Sequence, residues 1–102
     1  MVKHIVLWRL KESAEGCSAA ENALRIKQAL EALNGRIPGL LRLEAGIDFS
    51  REDGSSDVAL YSEFDSRAAL EVYQNHPLHE EVKALVMAVR SERRVVDYEV
   101  AG

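Results

Sequence analysis

The sequence predicts a small α+β domain, and three observations carry that prediction. Stretches of strand character recur at four separated places, marked by β-branched residues or by two-residue apolar/polar alternation. Between them lie segments whose apolar residues recur every three or four positions, the pattern of amphipathic helices. The chain has 102 residues, enough for one core: by the usual scaling, folding buries roughly 65% of the unfolded surface. A single domain over residues 1–102 is therefore expected.

The elements follow in order. Val2 to Leu10 is rich in β-branched and aromatic residues, with Val2, Val6, Trp8 and Leu10 on one face and Ile5 and Leu7 on the other. This predicts a strand buried on two sides. Lys11 to Cys17 is polar. Ser18-Ala-Ala-Glu21 has capping-box form: the serine hydroxyl accepts from an orphan amide and the glutamate reaches back. Ala23, Ile26, Leu30 and Leu33 continue it as a helical stripe, Asn34-Gly35 supplies a left-handed cap, and Pro38 prevents resumption. Leu41, Leu43, Ala45 and Ile47 then alternate with Arg42, Glu44, Gly46 and Asp48, a strand with one apolar face.

Ser50 to Asp57 is a turn-rich connector, and Val58, Leu60 and Phe64 form a third strand that pairs back as a hairpin. Asp65 or Ser66 caps a short helix through Leu70 and Tyr73. Pro77 breaks it and opens another helix, whose stripe is Leu78, Val82, Leu85 and Val89. Arg94 to Val100 closes the chain as a strand. Strand, helix, strand, strand, helix pair, strand is the ferredoxin-like βαββαβ order, an antiparallel sheet with its helices on one face.

The other face of such a sheet needs a cover. The alternation leaves Ile5, Leu7, Ala59 and Val95 outward, rimmed by Lys3, Arg9, Arg42, Glu44, Tyr61, Glu63, Arg93 and Asp97. An apolar centre with a charged rim is the layout of a subunit interface, so a homodimer through the open sheet face is expected.

Composition excludes several classes. Apolar residues at 47% and charged residues at 29% are ordinary for a globular domain. A net charge of -4 disfavours nucleic acid and anionic lipid as partners. Cys17 is the lone cysteine, so no disulfide framework or Cys-rich zinc site exists, and a reducing, cytoplasmic location fits. No apolar stretch is long enough to span a membrane, and the N-terminal run, broken by Arg9 and Lys11, does not read as a signal peptide. No Gly-rich phosphate loop is present, and His76 and His79 straddle the Pro77 break without a third ligand, so no metal site and no cofactor are expected.

Chemistry, if present, belongs to Tyr73-Gln-Asn-His76-Pro-Leu-His79 together with His4 on the first strand. His79 is the preferred acid or base. It lies in the first turn of a helix, where the positive end of the dipole favours neutral imidazole. Tyr73 can donate to a developing oxyanion. Each residue also has a plainer role: His76 as a helix cap, His4 as a core histidine, Tyr73 as a core aromatic. The functional case rests on whether one pocket between helices and sheet collects His4, Tyr73 and His79.

VKHIVLWRL at the start, IPGL after the first helix, Gly46, Tyr73-x-x-His76-Pro-x-His79 and Asp97-Tyr98 resemble the stress-responsive dimeric α/β-barrel (Dabb) family nearly end to end. The resemblance implies a ferredoxin-like protomer whose sheet joins that of a partner, and for many members no assigned activity. It leads to a stress-response barrel protein that binds a small carbonyl or aromatic compound. One plant branch, a polyketide (olivetolic acid) cyclase, implies an enzymatic alternative, a cofactor-free cyclase or lyase. In it His79 is the base, Tyr73 assists, and His4 and His76 line or support the pocket. A purely structural homodimer and a cofactor-free monooxygenase of the related barrel type are the other readings. The cyclase branch holds an alkyl tail with aromatic residues where this chain has Lys27, Leu30, Arg90 and Arg93. Some members hold magnesium through backbone carbonyls in the region matching Asn34 to Leu40.

Overall fold

The computed structural model describes residues 1–101. Four strands, β1 (Val2–Leu10), β4 (Leu40–Ile47), β5 (Val58–Phe64) and β6 (Arg90–Glu99), form one antiparallel sheet in the order β4-β5-β1-β6. Three helices, α1 (Ala19–Glu31), α2 (Arg67–Gln74) and α3 (Pro77–Val89), accompany it. This is the ferredoxin-like architecture expected from the sequence, with β1 central.

Local signals set most element ends. Ser18 accepts from the Glu21 amide at 3.2 Å, and the Glu21 carboxylate takes the Ser18 N–H at 2.9 Å, completing the capping box of α1. Ser66 caps α2, and α3 starts at Pro77 with His76 as its cap. The polar stretch after β1 is more ordered than alternation suggests. Ser13–Ala14 (β2) and Cys17–Ser18 (β3) pair as a small hairpin. Its turn, Glu15-Gly16, has φ of 53° and 74°, the left-handed pair that closes a two-residue hairpin. Asn22, fully buried on α1, holds this hairpin by donating to the Ala14 carbonyl at 3.0 Å.

The core lies between helices and sheet. Val2, Val6, Leu60 and Phe64 from the sheet meet Ile26, Leu30, Tyr73 and Val89 from the helices. Burying each large apolar side chain contributes about 1.5–3 kcal/mol. Gly39 sets the approach of α2: a Cβ there would lie 2.5 Å from the Ala69 Cβ, and its φ is +82°.

Three expectations need correction. Leu41 is 51% exposed and Ile47 42%, so only Leu43 and Ala45 of the predicted β4 stripe are buried. An irregularity between Leu40 and Arg42 puts Leu41 out of register. On α3 the buried stripe is Val82, Val86 and Val89, with Leu78 and Leu85 half-buried. The third correction concerns β6, which starts at Arg90, ahead of the predicted Arg94. Its register pairs Val95 with Val6, Asp97 with His4 and Arg93 with Trp8. Paired residues share a face, so Val95, Arg93 and Asp97 lie on the helix side with the buried Val6. The outward residues of β6 are Arg94, Val96 and Tyr98, opposite Leu7, Ile5 and Lys3. Adjacent like residues, Arg93-Arg94 and Val95-Val96, make either face plausible by alternation, and a slip of one residue exchanges them.

The two sheet edges differ. On β4, Asn34 brackets Leu43, donating to its carbonyl at 2.8 Å and accepting its N–H at 3.0 Å. Lys27 donates to the Ala45 carbonyl at 2.6 Å, and Glu31 accepts the Ala45 N–H at 3.3 Å. These side chains from α1 and the turn after it occupy the groups through which another strand would pair. At the opposite edge β6 pairs only with β1 and is exposed almost throughout.

Candidate functional site

The even-numbered residues of β1 face the helices, which carries His4 inward beside Val2 and Val6, where it is buried. Its Nδ1 donates to a carboxylate oxygen of Asp97, its partner across the β1–β6 ladder. Tyr73, at the end of α2, is fully buried. Pro77 then turns the chain into α3 and sets His79 in the first turn, where Nδ1 donates to the Gln74 carbonyl at 3.2 Å.

The structure brings three of the four predicted residues together. The Tyr73 ring centroid lies 4.4 Å from that of His79 and 6.2 Å from that of His4, with Phe64 behind at 5.0 Å from Tyr73. His76 stands apart from the cluster. Its Nδ1 accepts the Leu78 N–H at 3.1 Å, so its place in the structure is that of the α3 cap. Beside the cluster opens a cavity of about 440 Å³ lined by His4 and His79 but not by Tyr73 or His76.

Both lining imidazoles are oriented in the same way. Each commits Nδ1 to an acceptor fixed by the fold, leaving Nε2 as the nitrogen available to a ligand. Desolvation lowers the pKa of His79, assisted by the charges of Lys83 and His4 and opposed by the Gln74 carbonyl and Glu80. Burial therefore favours its neutral form. Burial also pushes the Tyr73 phenol well above its usual range, and its hydroxyl has no hydrogen-bond partner. It is a protonated donor without an acceptor.

Asp97 was not among the predicted site residues, although its place follows from the β1–β6 register. The cavity's far wall was also missed as a wall. His79, Lys83, Val86, Met87 and Arg90 follow one side of α3 and its end, and Arg93 joins them from β6. Of the positions where the cyclase branch places aromatics, Leu30, Arg90 and Arg93 do line the cavity, whereas Lys27 bonds to Glu31 and Ala45 at the β4 edge.

Among the described residues, no three His, Cys, Asp or Glu side chains cluster as metal ligands. In the loop linked by resemblance to magnesium, Asn34 to Leu40, the Ile37 and Gly39 carbonyls each accept a backbone N–H. Cys17 is half-buried on β3, with Arg25 as its hydrogen-bond neighbour. No described helix is long and apolar enough to cross a membrane.

Sheet order, helix placement and the site on the helix side define the class of ferredoxin-like proteins found as dimers. A dimeric protein of unknown function from Bacteroides fragilis shares 31% identity, covering 97% of this chain and 95% of its own, with a TM-score of 0.86. A dimeric ferredoxin-like protein of unknown function from Thermobifida fusca shares 24%, covering 97% and 90%, with a TM-score of 0.84. At 20% identity, a hydroxynitrile lyase from Passiflora edulis shares the fold, covering 98% and 93% with a TM-score of 0.79. No curated protein matches the sequence. Residues 2–100 match the model of the stress responsive A/B barrel domain, Dabb, and the chain belongs to that family.

The lowered pKa of His79 fixes the sign of a pH effect. Above the unfolded histidine value of about 6.5, both states are neutral and His79 adds no pH dependence. As pH falls below it, the unfolded chain takes the proton first, so stability declines until the folded value is passed. Thermal melts between about pH 7.5 and 5 should show wild type losing more stability on acidification than His79→Gln. Equal losses would remove the desolvated imidazole from the account.

Proposed function

We propose that the cavity binds a small carbonyl compound and that His79 removes a proton from the carbon α to its carbonyl. One observation carries this reading: two imidazoles, His4 and His79, line the same cavity with Nδ1 anchored and Nε2 free. His79 is the base because burial favours its neutral form. In the step, the C–H pair becomes the enolate double bond, the carbonyl π pair moves to oxygen, and the proton resides on His79 Nε2. The Tyr73 hydroxyl is buried outside the cavity lining, so its ring must shift to reach the enolate oxygen, and in that position its unpartnered O–H is the oxyanion donor. His4, held by Asp97, supplies the second polar contact, and His76 supports the site by capping α3. The enolate carbon then takes a proton back from His79 Nε2 or attacks a second carbonyl, whose new alkoxide takes that proton, which is the cyclase or lyase form of the same chemistry.

A neutral methyl ketone, para-acetylbenzamide, tests this step in deuterated buffer by NMR of the acetyl methyl. Wild type should exchange the methyl protons faster than buffer, and His79→Gln should reduce the enzymatic rate by about 100-fold or more. Equal rates in the two proteins reject His79 as base. Saturable binding without exchange leaves a binding protein, and no binding leaves a structural one.

We infer further that the working unit is a homodimer joined through the open sheet face. Ile5, Leu7, Ala59 and Val96 form its apolar centre, with Lys3, Arg42, Glu44, Glu63 and Arg94 around them. Leu7 is 39% exposed and Val96 52% in the protomer. The unpaired β6 edge continues the same surface, and the dimeric neighbours support the assembly. Sedimentation at micromolar concentration should give a dimer that Val96→Asp weakens to monomer. A wild-type monomer contradicts it.

A further inference from the structure

The cavity wall facing the histidines carries a charge pattern that the proton-transfer reading does not use. Lys83, Arg90 and Arg93 all line the cavity, and no carboxylate lines it, in a chain whose net charge is -4. Every ion pair among the described residues involves other basic groups: His4, Lys27, Arg42, Arg51 and Arg67. Among the described residues the three cations at the cavity therefore have no ion-pair partner. Lys83 lies one turn beyond His79 on α3, Arg90 at the helix end, and Arg93 opposite Trp8 on the helix-facing side of the sheet.

A second observation points the same way. Trp8 lines this cavity, and its indole N–H is buried with no acceptor. The amide side chains of Gln74 and Asn75 complete the polar lining. The wall is thus rich in donors and in positive charge, with Arg90 half-buried and Lys83 and Arg93 exposed at the mouth of a concave site. Such a site favours an anion over a neutral group of equal shape. Guanidinium forks match the two oxygens of a carboxylate in particular.

We propose that Arg90, Arg93 and Lys83 bind a carboxylate, so that the ligand is a carbonyl compound carrying a carboxylate at the end remote from the reacting carbon. This rests on the proton-abstraction reading for the carbonyl end, while the anion preference stands on the cationic wall alone. The carboxylate anchors the ligand between α3 and β6 and directs its carbonyl toward His79, His4 and Tyr73. Arg90 and Arg93 are specificity determinants in this arrangement.

Titration calorimetry with para-acetylbenzoate and its neutral counterpart para-acetylbenzamide, at about 0.15 M salt, separates the two claims. The carboxylate should bind at least about 10-fold more tightly than the amide, consistent with a charge-assisted pair. In Arg90→Gln/Arg93→Gln the carboxylate affinity should fall to that of the amide. Both arginines are at least partly exposed, and an unchanged circular dichroism spectrum checks the fold of the variant. Equal affinities in wild type, a preference that survives the double substitution, or no carboxylate binding overturns the proposal. Tight carboxylate binding without methyl exchange upholds the anion wall and fails only the role of His79 as base.

Discussion

The register between β1 and β6 is the constraint on which the site depends. It sets Asp97 opposite His4, Arg93 opposite Trp8 and Arg90 opposite Leu10, all on the face that meets the helices. Because side chains alternate across a strand, a slip of one residue would turn Asp97 and Arg93 outward and set Val96 or Tyr98 opposite His4, according to its direction. His4 would then be buried without its carboxylate. Val2, Val6 and Trp8 set which face of β1 meets the helices, and the ladder to β6 assigns the faces of its residues accordingly. The irregularity between Arg9 and Leu10 lets Arg90 enter the ladder at the end of α3.

Around that register the fold holds polar groups where a core would ordinarily exclude them. His4, Asn22 and Ser62 are buried, and each has a partner: Asp97, the Ala14 carbonyl and the His4 carbonyl. Trp8 Nε1 and the Tyr73 hydroxyl do not. An unsatisfied buried donor costs about 1–3 kcal/mol, so two of them beside one cavity are a cost that the packed core offsets and a bound acceptor would relieve. The fold thereby keeps donors dry and unpaired next to an imidazole whose burial keeps it neutral. Such groups interact more strongly with developing charge than hydrated ones.

Much of this was legible in the residues. The capping box at Ser18, the Pro77 helix start and the β5 alternation are local patterns, and local physics decides them. Whether His4, Tyr73 and His79 meet was left open by the residues, which place β1 centrally and turn the chain at Pro77 without setting the distances between the three side chains. The face of β6 was not legible. Arg93-Arg94 and Val95-Val96 repeat like residues across the pleat, so alternation cannot choose between them, and only long-range pairing does. Asp97 and the cationic wall were hidden for that reason. The bulge near Leu41 and the Glu15-Gly16 hairpin turn depend likewise on pairing partners and left-handed backbone that periodicity does not encode.

The central claim is that the fold commits Nδ1 of both lining histidines and presents Nε2 to the cavity. Long-range ¹H–¹⁵N correlation spectra of the imidazole side chains read this directly at neutral pH. In their neutral forms His4 and His79 should both carry the proton on Nδ1 and leave Nε2 bare, while neutral His76 should show the opposite tautomer because its Nδ1 accepts the Leu78 amide. A proton on Nε2 of neutral His79, with Nδ1 bare, would contradict the account, because the nitrogen facing the ligand could then accept nothing.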